Sequence, residues 1–156
     1  MAEWKHANGV IHSYCGYYGT AYPWYASDGN WGDVPFWGCE INHKHWIVLD
    51  MGSSFVWSEI RQYHRGEPGG RWLGVDIYVG DDPANLGEAV ATDLSFLDDW
   101  VWNERDLTTQ KSGRYVKLAD ISTQGAGGYL NKVHEIQVYQ IAMHDLNLCM
   151  PRGGVL

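Results

Sequence analysis

Apolar and polar positions alternate with a period of two along much of this chain, the pattern of half-buried strands. Val75, Ile77 and Val79 alternate with Asp76 and Tyr78, and Gly80-Asp81-Asp82-Pro83 closes the run. Val116 and Leu118 alternate with Tyr115 and Lys117, and Ile136 and Val138 with Glu135 and Gln137. The apolar run Trp46-Ile47-Val48-Leu49 ends at Asp50-Met51-Gly52; Phe55 to Tyr63 follows, and Gly69-Gly70 makes a break, so these two read as a hairpin-like pair. The one helix-like stretch is 82–91, where Pro83 and Gly87 limit it to a turn or two. Strands without amphipathic helices between them predict an all-β class, an antiparallel jelly-roll β-sandwich and not a parallel sheet.

Length makes this a single module over 1–156: 156 residues bury one core and are too few for two full-sized ones. The unusual feature is aromatic content, 9 Trp and 10 Tyr, accompanied by 19 Gly, which favours turns. From Tyr14 to Trp37 rings and glycines interleave, suggesting ordered loops packed by aromatic side chains. A net charge of −8 argues against a nucleic-acid or anionic-membrane partner. No run of about 18 apolar residues occurs, and the start lacks the pattern of a signal peptide. A soluble chain, or a module of a longer secreted protein, is expected. Cys15, Cys39 and Cys149 show no CxxC spacing, which is poor for a zinc site; oxidised pairing of two of them stays open.

Seven stretches in order resemble the discoidin, or coagulation factor 5/8 type C, family, which includes the family 32 carbohydrate-binding modules. They are Ala26-Ser27-Asp28-Gly29-Asn30, Phe36-Trp37, His45-Trp46-Ile47-Val48-Leu49-Asp50-Met51-Gly52, Ile60-Arg61-Gln62-Tyr63-His64-Arg65, Val75-Asp76-Ile77-Tyr78-Val79-Gly80-Asp81-Asp82, Gly113-Arg114-Tyr115-Val116-Lys117-Leu118 and His134-Glu135-Ile136-Gln137-Val138-Tyr139. The resemblance covers about residues 26–140. It implies a galactose-binding-like jelly roll with a structural Ca2+ and ligand loops at one end of the sandwich.

By that resemblance, Arg65 matches a loop arginine whose planar fork of donors binds adjacent sugar hydroxyls, the alternative being a solvated surface arginine. Tyr129, after Gly125, Gly127 and Gly128, matches an aromatic that stacks on the apolar face of a pyranose, the alternative being a ring packing its own loop. Trp31 in Asn30-Trp31-Gly32-Asp33 is the second candidate platform and Trp24 a third, whereas Trp37, Trp46 and Trp57 belong to strands and read as core. The family's common His after the Trp37 position is replaced here by Gly38-Cys39-Glu40; Glu40 is the candidate acceptor from sugar hydroxyls in its place. Asp28, Asn30 and Asp33 resemble the family's calcium loop, with Glu135 as the distant carboxylate, and hard oxygen ligands suit Ca2+. The alternative is an Asx-turn without metal.

His43 and His45 form an HxH, but no Glu or second His motif follows at the spacing of a cupin-type metal enzyme, and no nucleophile elbow is present. The expectation is therefore a non-catalytic module that binds a neutral sugar, galactose or an N-acetyl sugar, on a glycan through loop aromatics and an arginine. It would act outside the cell or at its surface as part of a parent enzyme or adhesin. The alternative is a discoidin-like adhesion or protein-interaction domain.

Overall fold

A computed structural model describes residues 2–8, 10–17, 19–30, 36–40, 44–65, 70–123 and 130–141. Nine strands run in chain order: β1 (Glu3–Lys5), β2 (Ile11–Tyr14), β3 (Trp37–Glu40), β4 (His45–Tyr63), β5 (Trp72–Gly80), β6 (Ala89–Phe96), β7 (Trp102–Thr123), β8 (Leu130–Val133) and β9 (Glu135–Gln140). All pairings are antiparallel: the larger sheet runs β1-β9-β4-β7-β5-β6 with β2 also on β4, and β3 pairs β8 separately.

Two long strands, β4 and β7, build the sandwich by bending together. Their register is interrupted between Asp50 and Phe55, and on either side of that irregularity β4 takes different second neighbours. Residues Ile47 to Leu49 pair with β2, while Trp57 to Tyr63 pair with β9. One leg of β4 thus lies in the layer β2-β4-β7-β5-β6 and the other in β7-β4-β9-β1. A β-bulge inserts residues and bends a strand in this way, and Gly52 sits there at φ +79°. The core fills the space between the layers with Ile47, Leu49, Ile77 and Leu118 from one and Trp57, Ile60, Ile136 and Val138 from the other.

Four expectations are corrected. Residues 46–63 form a single bent strand and no hairpin, because backbone pairing with β7 resumes past Gly52-Ser53-Ser54. No helix forms at 82–91: the Asp82 carboxylate accepts from the Ala84 amide at 2.9 Å in an Asx-turn, and β6 begins at Ala89. Among the described residues the one helical segment is instead a 3₁₀ turn, Pro23–Ser27, inside the aromatic stretch. Trp37 and Trp57 are fully buried as expected, but Trp46 is half-buried on the outer face, 5.7 Å from the Lys117 ammonium. Residues Glu135 to Val138 do not alternate in burial; Gln137 faces outward beneath the Arg61 guanidinium, which bonds its Oε1 and lies 4.2 and 4.1 Å from the Trp4 and Trp102 rings.

The bend has a consequence for the connections. Folding β4 and β7 back on themselves brings both ends of each to one end of the sandwich. The end of β4 with Arg65 after it, the start of β5, the 97–101 connection, the start of β4 and the start of β9 therefore gather there. The 80–89 connection and the Gly113 turn of β7 lie at the opposite end, where Gly113 packs directly on the backbone of Gly80.

Candidate functional site

At the connection end, the 97–101 loop is ordered from beneath. The buried Asn103 accepts from the Asp98 amide through Oδ1 at 2.8 Å and donates through Nδ2 to the carbonyls of Asp98 and Val101 at 2.8 and 3.3 Å. The Trp100 amide donates to the His64 carbonyl at 2.9 Å, which holds Trp100 at φ 63°. Left-handed backbone is uncommon for a bulky side chain. Its result is an indole 60% exposed, flanked by the exposed Leu97 and Val101.

Arg65, the arginine anticipated from the sequence, lies beside this ring, its guanidinium carbon 5.6 Å from the Trp100 centroid. The next cation, Arg71, is committed to Asp99: its Nε donates to Oδ1 at 2.9 Å and its NH2 to Oδ2. That pairing holds the Asp99 carboxyl below its ordinary range. His64, wholly buried, lies 3.6 Å from Asp99; burial pushes its imidazole down, opposed by the charge of Asp99. The arrangement therefore brings together one exposed aromatic ring, the Arg65 guanidinium and the Arg71–Asp99 pair at one rim.

Trp24 stands in a different cluster. It is 42% exposed and stacks on Tyr22 at 4.4 Å, with Tyr17 and Tyr25 against the same Tyr22 ring. One indole face is covered by Tyr22, and the Tyr25 ring meets the indole edge-on at 5.9 Å. Glu40 ends β3, opposite Leu130 in the register; Trp31, Asp33 and Tyr129 lie outside the described residues. Trp100 was missed because Asp98-Asp99-Trp100 reads as a solvated turn. The signal that finds it is a large aromatic placed between a strand end and the next strand.

Asp28 and Glu135 meet through Gly29, whose amide donates to both Glu135 oxygens at 3.2 and 3.1 Å. Gly29 is required: its φ is +86°, and a Cβ would lie 2.8 Å from the His6 ring. Ser27 fixes the approach by accepting from the Ala7 amide at 2.7 Å and donating to the Ile136 carbonyl at 3.0 Å. Burial pushes the Glu135 carboxyl up to about 8, and the Asp28 charge adds to the rise against the lowering by the Gly29 bond. A buried carboxylate with a second carboxylate alongside fits a hard divalent cation, which would supply the missing positive charge. The Asx-turn alternative is also present in part, since the Asn30 amide donates to Asp28 Oδ1 at 2.9 Å.

Fold and rim together define a β-sandwich module with a candidate loop-borne site at one end. Solved structures similar to it in fold include carbohydrate-binding modules. Similar to this chain are the family 32 module of C. perfringens NanJ in complex with galactose (17% identity, TM-score 0.71, covering 90% of this chain and 100% of that one) and a pectin-binding module (19%, 0.68, 86% and 91%). So is the family 32 module of AlyQ in complex with 4,5-unsaturated mannuronic acid (19%, 0.66, 83% and 92%). The chain spans 34% of a truncated AlyQ that joins such a module to an alginate lyase domain. No family model and no curated protein matches.

Proposed function

We propose that this chain is a non-catalytic carbohydrate-binding module that takes a neutral sugar, galactose or an N-acetyl sugar, at the end of a glycan. The observation that carries the reading is the exposed Trp100 indole held beside the Arg65 guanidinium on an ordered rim. An indole face suits the C–H patch of a pyranose, and a planar fork orients adjacent hydroxyls. Asp98 and Asp99, immediately before Trp100, together with the net charge of −8, favour an uncharged sugar over a uronate. Tyr129, Trp31, Glu40 and Trp24 are the further candidate contacts from the sequence, and Asp28, Asn30, Asp33 and Glu135 the candidate Ca2+ ligands in a structural role. The module would work outside the cell, attached to a parent enzyme or adhesin. Affinity per site is expected to be low, since one sugar buries little area against its ordering cost.

A second reading is a discoidin-like adhesion domain, favoured by three exposed apolar side chains, Leu97, Trp100 and Val101, on one short loop. Titration calorimetry with galactose, N-acetylgalactosamine and galacturonate, on the parent chain and on Arg65→Ala, decides between them. Saturable binding of a neutral sugar, lost in the variant, supports the first reading. Silence toward every glycan of an array supports the second.

A further inference from the structure

Cys15 converges with Cys39 and His45, 24 and 30 positions further along the chain, where β2, β3 and β4 begin or end. Cys15 follows β2, Cys39 lies in β3 and His45 opens β4. Cys15 Sγ is 3.4 Å from Cys39 Sγ and 3.8 Å from His45 Nδ1, and one ligand atom from each residue lies within 4.8 Å of the others. Around a tetrahedral zinc ion with bonds of about 2.3 Å to sulfur and 2.0–2.1 Å to nitrogen, the S···S edge is about 3.8 Å and the S···N edge about 3.6 Å. The two measured separations match those edges to within a few tenths of an ångström.

Each ligand is also held in place by its backbone. The Cys15 amide donates to the Trp46 carbonyl at 3.0 Å, and the following Gly16 carbonyl accepts from the Trp37 indole at 2.9 Å. Cys39 is locked in register opposite Asn131, and His45 opposite Ile121. Cys39 and His45 are buried and Cys15 is half-buried. Fixed ligands lower the ordering cost of binding an ion. Sulfur and imidazole select zinc or another soft ion over calcium, so the cluster is chemically distinct from the Asp28 and Glu135 loop.

We propose that Cys15, Cys39 and His45 form a zinc site, with two thiolates, one imidazole and a fourth position open to water or an external ligand. Bound there, the ion clips the aromatic N-terminal stretch to the first leg of β4. The thiols lose their protons on binding, and no oxidant takes part.

The test uses the whole chain, purified with a non-thiol reductant, stripped of metal and titrated with Zn2+ and, as a spectroscopic probe, Co2+. One ion per chain is expected, with thiolate-to-cobalt charge-transfer absorption in the near ultraviolet and tetrahedral visible bands. Cys15→Ser and His45→Gln should each weaken Zn2+ binding at least tenfold, while Cys149→Ser leaves it unchanged. Far-ultraviolet circular dichroism confirms that each variant is folded, and His45→Gln keeps the test decisive where a cysteine variant is not. Absence of the charge-transfer band, affinity indifferent to His45→Gln, or mass spectrometry showing a Cys15–Cys39 disulfide in chain isolated without reductant would each overturn the proposal.

Discussion

The amide of Gly29 reaches across 106 positions of sequence to donate to both oxygens of Glu135, and it brings the Asp28 carboxylate with it. Without a cation this is an unfavourable place for charge, and the Glu135 carboxyl is pushed up to about 8 from an ordinary 4.5, first by burial. Between those values the folded chain holds a proton that the unfolded chain has lost, so stability falls as pH rises. His64 acts in the opposite sense: its depressed imidazole favours the fold above the ordinary 6.5 and costs stability as pH falls below it. The window from 6.5 to about 8 therefore reports Glu135 alone among these two. In EDTA, the Tm of Glu135→Gln relative to the parent chain should therefore rise across that window, since the variant lacks the Glu135 contribution. Millimolar Ca2+ should raise the Tm at pH 8 in the parent chain and not in the variant. A Tm indifferent to Ca2+ at pH 8 would remove the calcium reading.

At the far end of the sandwich, Gly113 marks where β7 crosses β5 most closely. A Cβ built there lies 2.5 Å from the Gly80 amide nitrogen, a contact with backbone that cannot rotate away. The Trp57 indole donates to the Gly113 carbonyl at 2.8 Å, so shifting this turn also disturbs a buried ring. Gly113→Ala should destabilise by about 1–3 kcal/mol through overpacking. For a chain of this size that is a Tm decrease of roughly 2–4 °C per kcal/mol, measurable by calorimetry, with sugar affinity unchanged.

Asn103 touches no ligand surface yet ties both ends of the 97–101 loop to β7 with three hydrogen bonds. Each such bond contributes about 1 kcal/mol net. Asn103→Ala should lower urea stability by roughly 2–3 kcal/mol and weaken sugar binding by raising the off-rate, because Trp100 is then no longer held in place. Asn103→Asp keeps the acceptor to the Asp98 amide and should recover part of both. Full affinity in the alanine variant would show that Trp100 does not need its loop ordered.

Much of this was legible in the sequence, and the failures have physical causes. Strand identity followed from side-chain alternation at Val75 to Val79 and Val116 to Leu118, where one face is core and the other is wet. The bend in β4 escaped because Gly52-Ser53-Ser54 carries the same residues as a hairpin turn. Only the partner strand β7, bending at the same level, distinguishes a bulge from a reversal. Arg65, and Asp28 with Glu135, were candidates through ordered resemblance across the chain, and the structure sets the first beside Trp100 and joins the other two through Gly29. Trp100 was not, since its exposure depends on Asn103 and on the His64 carbonyl, neither of which marks the ring in sequence. The Cys15, Cys39 and His45 cluster was equally hidden: Cys15 lies 24 and 30 positions before the other two, outside any local ligand spacing, and only strand register brings them together.

Trp100 offers the sharpest separation of function from stability. Its left-handed backbone, φ 63°, is a conformation that asparagine adopts far more readily than tryptophan. The ring that incurs this strain is 60% exposed, so removing it forfeits little burial and only an exposed approach to Arg65. Trp100→Asn should therefore leave the Tm unchanged or raise it. Sugar affinity in the same variant should fall about tenfold or more, as expected for losing an aromatic contact of about 1.5 kcal/mol. Strain kept at an exposed side chain without benefit to the fold is the mark of a residue retained for binding. A variant that binds the sugar as tightly as the parent would show that Trp100 is not the platform, whereas one that loses stability and affinity together would make the ring structural.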